Sequence, residues 1–343
     1  MDWFINQYGI KTGSISIPGI CPAGTYITAN GWVDEEHIIV SAHKSVDTME
    51  CSLLLIDIKS GQAECVAEKA KWPCFCVKDS VLYYTYGNRI YRTELKSAVT
   101  ELLYENTGEA PFEGPPGITN DGKYISLQHQ DDTGNTAIDL FSVQEKRLET
   151  VYHSSFFPPF AKATHSMVNP SNPAEVFFCH EGDCRYITNR MWIYRKEKNK
   201  AENFCKQKLD ENGANGDCCG HEMWAENGRD MFFVKYPAST TDTKGIFRVN
   251  TVSGTTEHIA GRYPYWHVGV YKDGRLLAAD TMEENGDIHV VLIHGGNERI
   301  IADAKTSWKH PAHPHPVFSP SGSQLYYTTI DDNGRTAINI CEI

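Results

Sequence analysis

The stretch Asn120-Asp121-Gly122-Lys123-Tyr124-Ile125-Ser126-Leu127-Gln128 joins a polar turn to a short strand, and the same pattern occurs seven times along the chain. Turns rich in Asp, Asn and Gly, followed by β-branched and aromatic residues, predict hairpins that lead into strands. The other six strands of this kind are residues 37–42 (HIIVSA), 81–86 (VLYYTY), 174–180 (AEVFFCH), 229–235 (RDMFFVK), 275–280 (RLLAAD) and 324–329 (QLYYTT). The repetition indicates that one structural unit is used seven times.

The spacing of the turns identifies the unit. They recur every 42–55 residues, as marked by Asp34, Asp79, Asp121, Asn172, Asn227, Asp273 and Ser321. Four-stranded propeller blades take about 40–50 residues each, and helical periodicity is almost absent from this chain. The sequence therefore predicts an all-β, seven-bladed β-propeller, with residues 1–343 forming a single domain. A pair of β-sandwiches is the alternative, but no Pro/Gly/Ser-rich linker divides the chain.

The two ends of the chain are predicted to meet in the last blade. The seventh repeat reaches Ile343 after only three strands, which would leave an unpaired strand edge in a ring of sheets. The segment Gly13-Ser14-Ile15-Ser16-Ile17-Pro18 has strand character and belongs to no repeat. We expect this N-terminal strand to close the last blade.

Composition restricts the class of partner. The chain of 343 residues has 44 acidic and 32 basic side chains, a net charge of −12, and this surplus repels a phosphate backbone. No apolar run approaches the length of a membrane span, and residues 1–7 lack a basic leader followed by an apolar run. Eleven scattered cysteines, an odd number, fit a reducing compartment. We therefore expect a cytoplasmic protein with no nucleic-acid or membrane partner.

Four histidines occupy the same position in successive repeats. His165, His221, His267 and His315 each lie seven residues before an equivalent turn residue. The innermost strands of a propeller surround its central channel, so these imidazoles are expected to point into a common space. His313 lies two residues before His315, and an extended segment, which the prolines of HPAHPHP (residues 310–316) favour, would place both on one side.

Converging imidazoles are a common way to bind a transition metal. A single histidine is more often a hydrogen-bonded core or surface residue, but four in one register favour a site. The predicted ligands are His267, His313 and His315, with His310 as a candidate fourth. Spacing does not choose among zinc, manganese, iron, nickel and copper. The run CHEGDC at residues 179–184 matches no zinc-binding pattern.

Four short motifs carry a family resemblance. They are FCHEG (residues 178–182), RMW (190–192), HEMW (221–224) and HPHP (313–316). In this order on a seven-bladed propeller they resemble oligogalacturonate lyases, which are cytoplasmic pectin-degrading enzymes, and the similarity runs from His165 onward. The resemblance implies a manganese ion in the mouth of the channel, held by three histidines and a glutamine, and a histidine base.

The resemblance also implies roles for individual residues. His221 would be the base and Arg190 the arginine that neutralises the substrate carboxylate, while the metal would be held by His267, His313 and His315. Where the family has glutamine, three residues before HPHP, this chain has His310, so Zn²⁺, Fe²⁺ or Ni²⁺ remain open beside Mn²⁺. We further expect substrate contacts from three residues, which are His165, His180 and Trp224.

The implied substrate is an anionic oligosaccharide, a short oligogalacturonide or a related uronate chain, cleaved by β-elimination. A glycoside hydrolase would need two carboxylates that flank the glycosidic bond, and the repeats contain no acidic register to match the histidines. A non-catalytic propeller that serves as a sugar sensor or scaffold is the alternative from another functional class.

Overall fold

The strands of the protein are arranged as seven antiparallel sheets. The structure, a computed structural model, describes residues 2–108, 110–283 and 287–343. These residues contain 29 strands and one short 3₁₀ helix at Lys196–Lys198. Neighbouring sheets pack together in sequence order, and the last also contacts the first, through the strands Thr336–Glu342 and Cys21–Ala23. The result is a closed ring, which confirms the predicted seven-bladed β-propeller.

The first six blades have four strands each, and in each blade the strands follow one another in chain order. Blade 1 contains β3 (Cys21–Ala23), β4 (His37–His43), β5 (Glu50–Asp57) and β6 (Ala63–Lys71). Blade 2 contains β7 (Phe75–Lys78), β8 (Val81–Tyr86), β9 (Arg89–Glu94) and β10 (Val99–Glu105). Blade 3 contains β11 (Phe112–Ile118), β12 (Tyr124–Gln130), β13 (Thr136–Ser142) and β14 (Arg147–His153). Blade 4 contains β15 (Ala163–Asn169), β16 (Asn172–His180), β17 (Met191–Arg195) and β18 (Lys200–Cys205). Blade 5 contains β19 (Cys219–Trp224), β20 (Asp230–Lys235), β21 (Gly245–Asn250) and β22 (Thr256–Ala260). Blade 6 contains β23 (Tyr265–Tyr271), β24 (Leu276–Thr281), β25 (Asp287–His294) and β26 (Asn297–Lys305).

The seventh blade contains both ends of the chain. Its strands are β27 (Val317–Phe318), β28 (Gln324–Ile330), β29 (Thr336–Glu342), β2 (Lys11–Ile15) and β1 (Asp2–Ile5). Closure by an N-terminal strand is confirmed, although β2 covers residues 11–15 and not the predicted 13–18. It pairs with β29 through Thr12 opposite Cys341 and Ile15 opposite Ile338. The outermost strand β1, which the sequence did not predict, pairs with β2 and is the new edge of the sheet.

Glycine is required at the turns between the first and second strands of several blades. Gly228 has φ +64° and Gly274 has φ +81°, a conformation that side chains with a Cβ rarely adopt. A Cβ on Gly228 would lie 2.2 Å from the Asn169 side chain, and one on Gly274 would lie 2.2 Å from the Phe232 ring. These turns are therefore fixed both by backbone conformation and by contact with the neighbouring blade.

The core lies between adjacent sheets. Met167 and Phe177 of blade 4, for example, pack in one cluster with Trp224 and Phe233 of blade 5. The first strands of the blades surround a central cavity of about 430 Å³, to which Gly117, Met223 and Gly269 all contribute. The turns lie at one end of these strands, and the four histidines of the shared register lie near the other.

The histidine-bearing strands are irregular where the histidines occur. Strand pairing shifts register between Thr164 and Met167 and between Gly220 and Met223, and the histidines in these gaps, His165 and His221, have φ +56° and +53°. Such bulges re-aim a side chain away from the regular pleat. His315 also has a positive φ, +45°.

The extended conformation predicted for residues 310–316 is wrong. The segment forms a turn and then an irregular stretch before β27, with His315 left-handed. His313 and His315 are therefore brought together by a folded loop and not by the alternation of a strand, because the prolines that exclude ladder pairing also permit a turn here.

Two further features bear on the sequence predictions. Across the described ranges, no helix is both long and apolar enough to cross a membrane. The eleven cysteines are all free thiols, and eight of them are buried, including Cys76, Cys179 and Cys219.

Candidate metal and catalytic site

Three buried histidines meet at one end of the channel. Each of His267, His313 and His315 offers a ring nitrogen, and these nitrogens all lie within 4.8 Å of one another. The Nε2 atoms of His267 and His315 are 3.2 Å apart. His267 comes from β23 in blade 6, and the other two precede β27 in blade 7. These three histidines, the metal-competent group, therefore bridge two neighbouring blades.

A buried carboxylate fixes the orientation of His267. Both oxygens of Asp280, on β24, lie 2.8 Å from Nδ1 of His267. The Nδ1–H group donates to this carboxylate, so the lone pair of Nε2 faces His315. A carboxylate behind a histidine in this way is the usual support of a metal-binding imidazole.

Three ring nitrogens in and beside this group lack protein partners. Both ring nitrogens of His313 and Nδ1 of His310 are buried with no hydrogen-bond partner among the described residues. Burial lowers the pKa of His313 to about 2 and that of His310 to about 4, with neighbouring histidines adding to the effect. Unpaired buried nitrogens are costly, and neutral imidazole is the form that binds metals. The residues therefore fit a divalent transition-metal ion.

His310, the candidate fourth ligand, lies beside this group without joining it. Its ring centroid is 4.0 Å from that of His313 and 5.6 Å from that of His315. The set of nitrogens that lie mutually within 4.8 Å contains His267, His313 and His315 but not His310. The structure thus brings the three principal predicted ligands together. The fourth candidate, His310, packs against His313 outside this set.

His221 lies directly against the metal-competent group. Its ring centroid is 3.9 Å from that of His267, and its Nδ1 is 3.0 Å from the Tyr26 hydroxyl. Within the described residues, Nε2 of His221 has no hydrogen-bond partner. Burial lowers the pKa of His221 well below its usual range, and the nearby His267, His165 and Arg190 lower it further. The imidazole is therefore neutral at neutral pH, and in the tautomer whose Nδ1–H donates to the Tyr26 hydroxyl, Nε2 has a free lone pair.

Arg190 is held by two acidic side chains. Its Nε donates to Glu222 at 2.6 Å, and its Nη2 lies 3.5 Å from a carboxylate oxygen of both Glu222 and Glu181. Glu222 is fully buried. Burial raises the pKa of Glu222, but Arg190 and His165 outweigh this and lower it to about 2. The ion pair keeps the guanidinium rigid and leaves Nη1 without a protein acceptor among the described residues.

His165 lies across Tyr26 from the metal-competent group. Its Nδ1 is 3.9 Å from Glu222 and 3.7 Å from the Cys179 sulfur, and its ring centroid is 5.1 Å from that of Tyr26. Burial disfavours its charged form, but Tyr26, Cys179 and Glu222 together raise its pKa well above the usual range. His165 is thus suited to carry a positive charge near Arg190.

His165, Cys179 and Glu181 also meet the geometric requirement for a metal site. Arg190 is 3.5 Å from Glu181 and already neutralises its charge. A second metal ion here would be repelled by this guanidinium, so we assign the group to the support of Arg190.

Two predicted substrate contacts have other partners in the structure. The ring nitrogens of His180 lie 3.0 Å from Asn189 Oδ1 and 2.7 Å from the Phe160 carbonyl oxygen. Trp224 is 7% exposed in the core between blades 4 and 5, and its Nε1 donates to the Met167 carbonyl at 3.3 Å. Neither side chain offers a free polar group to a substrate, because both are used to pack and join strands.

Sequence reasoning missed several residues of the site. Tyr26 contacts His165, His221, His310 and His315, yet it comes from blade 1, which has no histidine in the shared register. Glu222 and Glu181 lie inside the quoted motifs HEMW and FCHEG without having been given a role. Asp280 could have been found from the sequence, because a charged residue at the end of the apolar run RLLAAD is unusual in a buried strand.

The C-terminal half of the chain matches a known family. The model of the oligogalacturonate lyase family matches residues 159–343, more than half of the chain, and this range contains every predicted site residue. The oligogalacturonide lyase of Pectobacterium atrosepticum is 27% identical over 199 residues, which cover 52% of this chain and 49% of that protein. The oligogalacturonate lyase of Dickeya dadantii is 26% identical over the same length. The chain thus spans about half the length of the curated relatives it matches.

Solved structures agree on the fold. An oligogalacturonate lyase in complex with manganese superposes with a TM-score of 0.83 at 17% identity, covering 100% of this chain and 96% of that one. The oligogalacturonate lyase of Vibrio parahaemolyticus gives a TM-score of 0.84 at 18% identity with the same coverage. At these identities the likeness establishes the propeller alone. On the strength of the family model, the chain belongs to the oligogalacturonate lyase family.

Proposed function

We propose that this protein is a metal-dependent lyase that cleaves short oligogalacturonides, or related uronate oligosaccharides, by β-elimination. The observation that carries the proposal is the meeting of three kinds of group at one end of the channel. These are the imidazoles of His267, His313 and His315, the free Nε2 of His221, and the guanidinium of Arg190.

The reaction needs a positive site for a carboxylate. Cleavage removes the proton on C5 of the uronate ring, next to the C6 carboxylate, and a C4=C5 double bond forms as the C4–O bond breaks. The expelled glycosidic oxygen takes a proton from solvent and leaves as a hydroxyl group. The carboxylate makes the C5 proton a weak acid, because negative charge accumulates beside it as the proton leaves. Arg190, with Nη1 free, donates to the carboxylate and stabilises the developing charge. Glu222 holds Arg190 in place for this contact.

His221 takes the proton. Its lowered pKa keeps the imidazole neutral at pH 7, and the tautomer with its proton on Nδ1 leaves Nε2 free to act, although as a weak base. The transfer therefore depends on the groups that acidify the C5 proton. As Nε2 gains the proton, Nδ1–H donates to the Tyr26 oxygen, which lies 3.0 Å away. Burial raises the pKa of Tyr26 to about 12, so its hydroxyl stays neutral and positions the imidazole.

A divalent ion held by His267, His313 and His315 would supply Lewis-acid stabilisation of the substrate carboxylate. A relative of the same fold is a manganese complex. His310 stands near these ligands where the family resemblance implies glutamine, which keeps Zn²⁺, Fe²⁺ and Ni²⁺ as alternatives to Mn²⁺. The variant His310→Gln should retain metal and shift selectivity toward Mn²⁺, as measured by elemental analysis after loading with mixed ions. Loss of all metal in this variant would contradict a peripheral position for His310.

Digalacturonate and trigalacturonate are the substrates that test the proposal. The metal-loaded protein should produce an unsaturated uronide, followed by its ultraviolet absorbance, and a chelator should abolish the product. Adding Mn²⁺ back should restore it. If no uronide of a panel including glucuronides and mannuronides yields product, the lyase is contradicted and sugar binding without catalysis is favoured.

The same proposal includes an anionic oligosaccharide as partner and the cytoplasm as compartment. Free thiols such as Cys76, Cys179 and Cys219 are compatible with a reducing environment. Fractionation of the native host cells, with detection by antibody, tests the compartment.

A further inference from the structure

An indole lies exposed beside the metal-competent histidines. Trp308 is 39% exposed, in the loop that follows β26 and precedes His310. The loop is tied down beneath it, since Thr306 Oγ1 accepts from the Trp308 amide at 3.2 Å and donates to the Ala312 carbonyl at 2.8 Å. Trp308 is thus a partly exposed apolar surface beside the site, on a loop held by hydrogen bonds.

Trp266 connects this surface to the histidines. The ring centroids of Trp266 and Trp308 are 4.8 Å apart, at an interplanar angle of 44°. Trp266 in turn packs against His267 and His313, with centroids 4.3 Å away in both cases. The two indoles therefore form a continuous aromatic surface that runs from solvent to the ligands of the metal site.

We propose that Trp266 and Trp308 form a platform that binds a pyranose ring of the oligouronide, next to the sugar that is cleaved. This inference rests on the proposed function and deepens it. One face of a pyranose ring presents C–H groups, whose partial positive charge complements the negative face of an indole. The carboxylate of a uronate projects from the edge of the ring, so it stays in water while the C–H face is covered.

The position of the platform favours a sugar over a protein partner. The aromatic surface is continuous with the histidines through Trp266, and within residues 2–108, 110–283 and 287–343 no other exposed aromatic ring packs against it. Exposed aromatic surface next to a cluster of polar groups is typical of ligand binding.

The variants Trp308→Ala and Trp308→Phe test the platform. Trp308→Ala should raise KM for trigalacturonate about tenfold while kcat changes less than twofold, because the contact is made equally in ground and transition states. Trp308→Phe should stay within about threefold of the wild type, since a smaller aromatic face remains. Phe4→Ala, which removes an exposed aromatic from the outer strand β1, is the control and should leave KM unchanged.

A binding measurement makes the test independent of turnover. Calorimetric titration of trigalacturonate into metal-loaded His221→Asn protein should lose about tenfold in affinity when Trp308→Ala is added. If binding falls in this way but the wild type forms no product, the platform stands and the lyase fails. If product forms but Trp308→Ala binds and turns over as the wild type does, the lyase stands and the platform fails.

Three other outcomes would also overturn the platform. Trp308→Phe as weak as Trp308→Ala would show that stacking is not the interaction. Loss of metal from Trp308→Ala would show that the indole supports the histidines instead. A change from oligomer to monomer in gel filtration, with sugar affinity unchanged, would assign the surface to self-association.

Discussion

Backbone strain and side-chain chemistry coincide at single residues of this site. His165, His221 and His315 all have positive φ, which for a residue other than glycine costs on the order of 1 kcal/mol. Each lies where strand pairing is interrupted or absent, so its imidazole leaves the pleat and enters the channel. His267 reaches the same place through a register shift without a positive φ.

The proposed base and the proposed ligand should be separable by substitution. We predict that His221→Asn lowers kcat by at least about 100-fold while metal content is kept, because asparagine tolerates the left-handed backbone but accepts no proton here. His267→Ala should lose metal and activity together. Steady-state kinetics and elemental analysis decide this, and a His221→Asn protein that has lost its metal would refute the assignment.

The buried pair of Arg190 and Glu222 should make the protein sensitive to acid. The pKa of Glu222 is lowered to about 2 in the folded protein from an ordinary value of 4.5. The stabilisation is thus fully present above about pH 4.5 and is lost as pH falls toward 2, amounting to about 3 kcal/mol.

Glu222→Gln should remove this pH dependence. The variant should be less stable at pH 7, because Arg190 is left buried without its counter-ion, and should lose less stability than the wild type between pH 4.5 and 3. Urea unfolding at each pH measures both effects. Parallel acid sensitivity of the two proteins would show that Glu222 is not the group responsible.

The strand β2 closes the ring and is expected to matter for stability. It covers the edge of β29 over residues 11–15, and its own Thr12 and Ile15 are buried, as is Ile10 just before it. The strand β1 lies outside it, and Phe4 and Ile5 are exposed. The two strands therefore differ in how much apolar surface they bury.

Removing residues 1–15 should destabilise the protein by about 3–6 kcal/mol, from the loss of two buried isoleucines, and should expose the edge of β29. Removing residues 1–5 is the matched control and should cost roughly half of that or less. Urea unfolding followed by circular dichroism compares them, and light scattering detects edge-to-edge association. Equal stability of the longer deletion and the full chain would mean that β2 does not close the ring.

On the scale of the whole molecule, the metal-competent group lies at a junction of blades. His267 belongs to blade 6, while His313 and His315 belong to blade 7, which also contains both ends of the chain. An ion bound there would join the blade that closes the ring to its neighbour. Ligands that bind only the folded state stabilise it by mass action.

We predict that Mn²⁺ at about one hundred times its dissociation constant stabilises the metal-free protein by about 2.7 kcal/mol, seen as a higher Tm in calorimetry. His313→Ala should abolish the shift. His153→Ala, an exposed histidine on β14, should keep it. A shift of the same size in all three proteins would place the ion elsewhere.

The sequence determined the architecture because its signals are local. Turn residues such as Gly228 and Gly274 end one strand and begin the next, and runs such as QLYYTT and TAINICEI can only be strands of a buried sheet. Their repetition predicted the number of blades, and the unfinished seventh repeat predicted closure by the N-terminus. The shared position of four histidines followed from the same repeat.

The tertiary structure alone decided how these groups combine into a site. The pairing of Tyr26 with His221 joins residues 195 apart, and that of Arg190 with Glu222 joins two blades. Trp224 lies in the core, and His310 packs against His313 without joining the ligand group. The physical reason is that bulges, a folded proline-rich loop and the angle between neighbouring sheets set these distances, and none of them follows from the period of the sequence.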